Sequence, residues 1–158
     1  MISTENNYCC EITRDKALIY KTALQLIDAI VKDILIMDSK KVEINFFTKE
    51  NKSARLYIMT QWKLLKHDKE IINNKTTNFN KINESFKQLE SKKLTNVEVL
   101  NCRMDTALEF DFWIKLVLSS HYTLSDDEPT CISWNLELPG KNLNVGSEVY
   151  VNTIELYE

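Results

Sequence analysis

Glycine and proline constrain this chain most, because it contains so few of them. Its 158 residues include two Gly and two Pro. Tight turns usually depend on these residues, since Gly adopts left-handed backbone angles and Pro fixes φ. The connections therefore have to use Asn, Asp, Ser and Lys, and we expect long regular elements. Such a composition argues against a collagen-like chain, a linker-rich chain and an all-β protein with many turns.

The size and composition of the chain predict one domain over residues 1–158. A hydrophobic content of 44% and a charged content of 27% are ordinary for a protein with a single core. The sequence leaves open whether residues 1–10 are ordered.

The features that indicate a cellular compartment point to the cytoplasm. The N-terminus lacks a signal-peptide pattern, and the apolar stretch at residues 29–37 is interrupted by Lys32 and Asp33. The four Cys, at positions 9, 10, 102 and 131, lack the spacing of a disulfide framework. We therefore expect a cytoplasmic protein with reduced thiols and no association with a membrane.

Apolar residues at three- and four-residue spacing predict helices in the first part of the chain. The longest covers residues 14–37 and is expected to be the central core helix, and a short strand follows at residues 42–46. A second helix is predicted over residues 53–65, although residues 56–60 also alternate like the second arm of a hairpin. A third, amphipathic helix covers residues 79–89.

From residue 96 onward the apolar period changes to two, which predicts strands. They are expected near residues 97–99 and over residues 108–118, 132–138 and 148–157. The last strand should contain a bulge near Asn152 and Thr153, where its apolar phase changes. The predicted fold class is therefore α+β, with N-terminal helices packed on a C-terminal antiparallel meander of about four strands.

The net charge of −3 conceals two unlike parts of the chain. Residues 1–103 hold 18 Lys/Arg against 13 Asp/Glu, whereas residues 104–158 hold two Lys against ten acids. The first part therefore carries +5 and the second −8. A strongly acidic region predicts a cationic partner. The alternative is that these acids only keep an exposed sheet soluble.

The predicted long strand over residues 108–118 carries the candidate binding site. Its apolar positions, including Leu108, Phe110 and Phe112, are expected to face the core. The opposite face then presents a Trp between carboxylates, a pattern typical of a protein-binding hot spot. Alternatively, a helix covers this face and the Trp belongs to the core. The predicted partner-binding residues lie on this face, in the acidic loop after it and on the next strand: Glu109, Asp111, Trp113, Asp126, Asp127, Glu128, Asn135 and Glu137.

The two histidines limit the catalytic and metal sites that the chain can form. His121 and Cys131 flank the acidic loop, and a nucleophile pair formed by them makes a small hydrolase one alternative. No motif surrounds Cys131, and His67 lies in a charged run typical of a solvated surface. The two Gly cannot form a phosphate-binding loop. We therefore predict no catalytic residue, no cofactor and no metal.

The lysine-rich middle of the chain suggests another alternative. Residues 40–93 contain 13 Lys/Arg against six Asp/Glu, with aromatic residues interleaved. This pattern fits a nucleic-acid-associated phage or host protein. Most of these aromatics also fit buried helix faces, and the chain has only three Arg, so nucleic acid is the less favoured partner.

The 17 Lys against three Arg are typical of an A/T-rich genome. As a class, this chain resembles bacterial immunity proteins, because it is a small acidic domain, predicted to be α+β, without a cofactor motif. These are encoded beside polymorphic or contact-dependent toxins. The resemblance implies a stoichiometric inhibitor that binds a toxin domain, often a basic nuclease, and masks its active site. An acidic sheet and loop surface would make the contact. Neither the toxin nor the oligomeric state follows from the sequence.

Overall fold

The computed structural model describes residues 4–37, 40–123 and 131–154, with side chains from Cys10 onward. Helix α1 spans Thr4–Ala23 and is followed by a single 3-10 turn at Leu24–Leu26. Strand β1 then spans Ile30–Ile36. The prediction of one helix over residues 14–37 is therefore wrong in its second half. A run rich in β-branched residues favours a strand there, and Asp28, at φ 71°, turns the chain before it.

Eleven strands of the described residues form two antiparallel sheets. The first sheet has the order β1-β2-β3-β9-β10-β11. Its other strands are β2 (Val42–Phe47), β3 (Ser53–Ile58), β9 (Ile132–Leu138), β10 (Lys141–Gly146) and β11 (Val149–Thr153).

The second sheet has the order β5-β4-β8-β7-β6. It contains β4 (Trp62–Lys66), β5 (Lys69–Asn73), β6 (Leu94–Val99), β7 (Thr106–Phe110) and β8 (Ile114–Leu118). Helix α2 spans Phe79–Lys87, and the Asn78 side chain caps it by accepting a hydrogen bond from the Lys81 backbone at 3.1 Å.

The two sheets share one hydrophobic core. The rings of Phe46 in the first sheet and Phe110 in the second stack with their centroids 6.5 Å apart. Helix α2 joins the same core, because Phe86 packs edge-on against Trp62 at 4.9 Å. Burying side chains of this size contributes about 1.5–3 kcal/mol each, so this core stabilises the fold.

The helices lie at the margins of the two sheets. Helix α1 contacts β6, β10 and β11, and α2 contacts β1 and β5. The Tyr122 hydroxyl donates a 2.6 Å hydrogen bond to the Asp15 carboxylate, which ties α1 to the segment after β8. In the described part of the chain, no helix combines the length and apolar character needed to cross a membrane.

The predicted fold class, N-terminal helices on a four-stranded meander, is wrong, because the described chain is mainly β, with eleven strands in two antiparallel sheets and two α-helices. Residues 53–65 are not a helix but β3, a short connection and most of β4. Ala54, Leu56 and Ile58 are buried and alternate with more exposed residues, as in a strand. Their spacing also fitted a helical face, because short apolar runs satisfy both periods.

The remaining predictions of helices and strands have mixed outcomes. The strand at residues 42–46, the helix beginning at Phe79 and the strand over residues 132–138 are confirmed. Residues 108–118 form a hairpin instead of one strand, with Phe112 at its turn and not in the core. The prediction of a bulge near Asn152 and Thr153 is wrong, because β10 and β11 pair in continuous register up to Thr153, where β11 ends. Strand β10 was missed because turn residues surround it.

The turns explain why scarce Gly did not prevent a fold with eleven strands. Left-handed angles cost L-residues about 1–2 kcal/mol each, and Asn and Asp tolerate them best. In the described residues, nine positions other than Gly have positive φ: Asp28, Lys40, Asn51, His67, Asp68, Ser91, Met104, Phe112 and Trp113. The expectation that scarce Gly excludes many turns is therefore wrong.

Candidate binding site

Two hairpin turns lie side by side at one end of the second sheet. One is the β4–β5 turn, His67 and Asp68, and the other is the β7–β8 turn, residues 111–113. They are adjacent because β4 pairs with β8, which places Lys66 opposite Ile114. The His67 amide donates to the Trp113 carbonyl at 3.0 Å, and their rings stack at 5.1 Å. We call these two turns the tip pair.

The backbone of the tip pair is unusual for the residues it contains. His67 and Asp68 have φ of 52° and 63°, and Phe112 and Trp113 have φ of 64° and 60°. Asn and Gly are preferred at such turn positions, and a bulky residue with positive φ is an outlier. Strained residues of this kind cluster at ligand-binding and catalytic sites. The aromatic turn is therefore a candidate functional feature.

The two aromatic rings of the β7–β8 turn are open to solvent. Trp113 is 72% exposed and Phe112 62%, and no other large hydrophobic side chain of the described residues exceeds 54%. The other two Trp, Trp62 and Trp134, are buried. The Lys92 ammonium lies 4.7 Å from the centre of the Phe112 ring, a cation–π contact.

A recess of about 820 Å³ lies beside the tip pair, and charged side chains line it. Lys115 Nζ is 3.4 Å from the Glu109 carboxylate and 3.7 Å from that of Asp68. Asp111 accepts a hydrogen bond from the Lys93 amide at 3.2 Å. Within the described residues, no ammonium or guanidinium group lies within 4.0 Å of the Asp111 carboxylate. With three carboxylates and one ammonium, the lining carries a net charge of −2.

Lysines flank the same turns outside the recess. Lys66 and Lys69 border the β4–β5 turn, and Lys92 and Lys93 precede β6. The Lys66 ammonium donates to the Gln88 side chain at 3.4 Å. The site therefore has an acidic wall, an aromatic tip and a basic rim. Such a combination is able to stack on a flat group and to form hydrogen bonds with a cation.

The structure brings together some of the predicted partner-binding residues and separates others. Glu109, Asp111 and Trp113 line the recess. Asn135 and Glu137 lie on β9 in the other sheet, because the neighbours of β8 are β4 and β7. The buried Asn135 side chain donates to Asn142 and Asn144, and Glu137 lies opposite Arg55. Asp126, Asp127 and Glu128 lie outside the described residues.

The alternative Cys–His pair has other partners. The His121 Nε2 atom lies 2.9 Å from the Thr60 hydroxyl, and the Cys131 amide donates to the Ser147 hydroxyl at 2.8 Å. No hydrogen bond joins the His121 ring and the Cys131 thiol, both of which the structure describes. The described residues also contain no group of three or more His, Cys, Asp and Glu arranged to hold a metal ion.

Sequence reasoning missed three residues of the tip pair. His67 and Asp68 were assigned to a solvated run, and Phe112 to the core. The β4–β5 turn left no clear signal, since residues 69–73 do not alternate and the two turn residues are not a pair that favours tight hairpins. The proximity of the two turns was not detectable, because it depends on which strands pair.

Comparisons with known proteins add no family to this description. No protein-family model matches the chain, and searches of curated proteins and of solved structures found no match. The tip pair and its recess are therefore the basis for inferring a function.

Proposed function

We propose that the chain is a non-enzymatic protein-binding inhibitor that contacts its partner through the tip pair. The observation that carries this proposal is the exposed pair Phe112 and Trp113, held in left-handed backbone beside carboxylates. Large exposed aromatics reduce solubility unless a partner covers them. Trp is also the residue type most enriched at interface hot spots.

The strain at this turn supports the same proposal. Asn-Gly at residues 112 and 113 would satisfy the turn without strain and without exposed rings. Unfavourable backbone of this kind persists where the surrounding structure enforces it, and at this turn it fixes two exposed rings in one orientation, which a partner can use. An anchor that is rigid before binding loses less conformational entropy when the complex forms.

The partner that we propose is the cationic domain of a bacterial toxin, bound and inhibited in the cytoplasm. The acidic wall of the recess and the net charge of −8 over residues 104–158 support a cationic partner. This is the partner class that the resemblance to immunity proteins implies. Single-stranded nucleic acid also stacks on exposed aromatics, and the lysines of the rim would attract its phosphates, but the carboxylates of Asp68, Glu109 and Asp111 repel phosphate from the recess itself.

Co-expression with a neighbouring toxin gene tests the proposal. We expect the chain to protect cells from the toxin domain and to co-purify with it at one to one. Trp113→Ala should abolish protection. The variant should still accumulate normally, because most of the Trp113 side chain is exposed to solvent. Phe47→Ala is the matched control, since Phe47 is also an exposed ring, 41% exposed, with a lysine 5.1 Å from its centre.

Equal protection by Trp113→Ala and wild type would contradict the assignment of the contact to the tip pair. Loss of protection in Phe47→Ala as well would contradict it too, because a general effect of removing exposed rings would then explain both results. Protection without formation of a complex would refute inhibition by direct binding.

A further inference from the structure

We propose that the recess beside the tip pair receives an arginine side chain of the partner, with its guanidinium between the open face of Trp113 and the Asp111 carboxylate. This inference rests on the proposed function, because it names the group by which a cationic partner would be recognised. It also assigns separate tasks to the aromatic tip and to the acidic wall.

The Trp113 ring offers a prepared stacking surface. The His67 ring covers one side at a centroid distance of 5.1 Å with 26° between the planes, and the side chain is still 72% exposed. Trp provides the strongest cation–π surface among the aromatic residues. At the same turn, Lys92 already occupies the neighbouring Phe112 ring, which leaves Trp113 as the ring without a cation.

The charges of the wall leave one carboxylate for an incoming cation. The Lys115 ammonium forms ion pairs with the carboxylates of Glu109, at 3.4 Å, and Asp68, at 3.7 Å. Asp111 has no cationic partner among the described residues, and it lies two positions from Trp113 in the same turn. A cation entering the recess therefore meets an unpaired carboxylate and an open ring together, in a lining of net charge −2.

The shape of this pair of groups favours arginine over lysine. A guanidinium is planar, so it stacks on an indole while its edge donates two hydrogen bonds to a carboxylate. It is also less strongly hydrated than an ammonium. A lysine ammonium can also lie over a ring, as Lys92 does at Phe112, but it is not planar and cannot stack flat on an indole while donating two parallel hydrogen bonds to a carboxylate.

Titration with a small arginine derivative tests the inference without any protein partner. Nα-acetyl-arginine amide is added to the full chain while tryptophan fluorescence is followed, because Trp113 is the exposed Trp and Trp62 and Trp134 are buried. We expect a saturable change with a dissociation constant at least about tenfold lower than for Nα-acetyl-citrulline amide. Citrulline has nearly the same shape and no charge.

Two variants locate the binding. Asp111→Asn should weaken the arginine derivative at least about fivefold, because its amide oxygen can still accept from the Lys93 amide but carries no charge. Glu137→Gln removes a carboxylate from the other sheet and should change nothing. Two-dimensional NMR of the three indole N–H groups assigns the change to Trp113 and shows that both variants are folded.

Equal affinity for the arginine and citrulline derivatives would overturn the inference, as would a shift of the Trp62 or Trp134 signal instead of Trp113. A saturable shift of Trp113 by an eight-nucleotide oligothymidylate, with none by the arginine derivative, would assign the recess to nucleic acid. Because no toxin is present, these outcomes are independent of the protection assay that tests the proposed function.

Discussion

The left-handed backbone at Trp113 should invert the usual order of stability between Ala and Gly. In ordinary strand positions Gly is less stable than Ala by about 0.5–1 kcal/mol, because it loses more backbone entropy on folding. At a φ of 60° the order depends on a second effect, since Ala keeps its Cβ in an unfavourable conformation and Gly has none. The comparison of Trp113→Ala with Trp113→Gly therefore measures the strain that this turn stores.

The magnitude follows from two opposing contributions. Left-handed angles cost an L-residue about 1–2 kcal/mol, and the entropy of Gly offsets about 0.5–1 kcal/mol of that. Both variants lose the same ring and the same stack on His67, so those losses cancel. We expect Trp113→Gly to be more stable than Trp113→Ala by about 0.5–1 kcal/mol.

Urea denaturation measures this difference, with the buried Trp62 and Trp134 as fluorescence reporters. The matched control is Phe47, which lies in regular strand β2, so Phe47→Ala should be more stable than Phe47→Gly. If Trp113→Ala equals or exceeds Trp113→Gly in its free energy of unfolding, the turn stores no left-handed strain, and the argument from strain to function fails.

Two further predictions concern the fold that supports the site. In Gly146→Ala the new Cβ would lie 1.7 Å from the Cys131 carbonyl oxygen, so we expect a loss of about 3 kcal/mol or more in urea denaturation. Gly140→Ala is its control, since no atom lies within 4 Å of that Cβ and only the cost of its φ of 81°, about 1–2 kcal/mol, is expected. A loss in Gly146→Ala no larger than in Gly140→Ala would refute the close approach. Burial is the larger cause, and the hydrogen bond to Asp15 the second, of a Tyr122 pKa raised above the usual 10.0. The neutral Tyr122 hydroxyl therefore stabilises the fold fully below pH 10, and this contribution decreases as the pH rises further. Tyr122→Phe should be less stable than wild type by about 1–3 kcal/mol at pH 7, with a difference that narrows above pH 10. A difference independent of pH would contradict this role for the partly buried, hydrogen-bonded hydroxyl.

The local parts of the fold and site were predictable from the sequence, and the pairings were not. Helix α2 and strand β9 each have one clear period. Residues 30–36 and 53–58 fit two periods equally well, and only their place in a sheet decides between them. The charge of residues 104–158 follows directly from the sequence. The division of these residues between the two sheets does not.

The same division holds within the candidate site. Glu109, Asp111 and Trp113 were predicted together as alternate positions on one face of a single strand. They line one recess for another reason, because a hairpin turn follows Glu109 directly. Asn135 and Glu137 were added on the assumption that consecutive strands pair, whereas β9 joins the other sheet. His67 reaches Trp113 only through the pairing of β4 with β8, which depends on the packing of the whole core.

The central claim is that Trp113 serves binding and contributes little to the core. The most direct test is a paired measurement, for Trp113→Ala and Phe47→Ala, of the free energy of unfolding and of the dissociation constant of the cognate toxin domain. We expect Trp113→Ala to raise the dissociation constant at least about 30-fold, the effect of a hot spot of about 2 kcal/mol, while unfolding changes by less than about 2 kcal/mol. Phe47→Ala should leave the dissociation constant within about twofold. An unchanged dissociation constant in Trp113→Ala, or a loss of about 3–5 kcal/mol in its stability as for a buried Trp, would contradict the account.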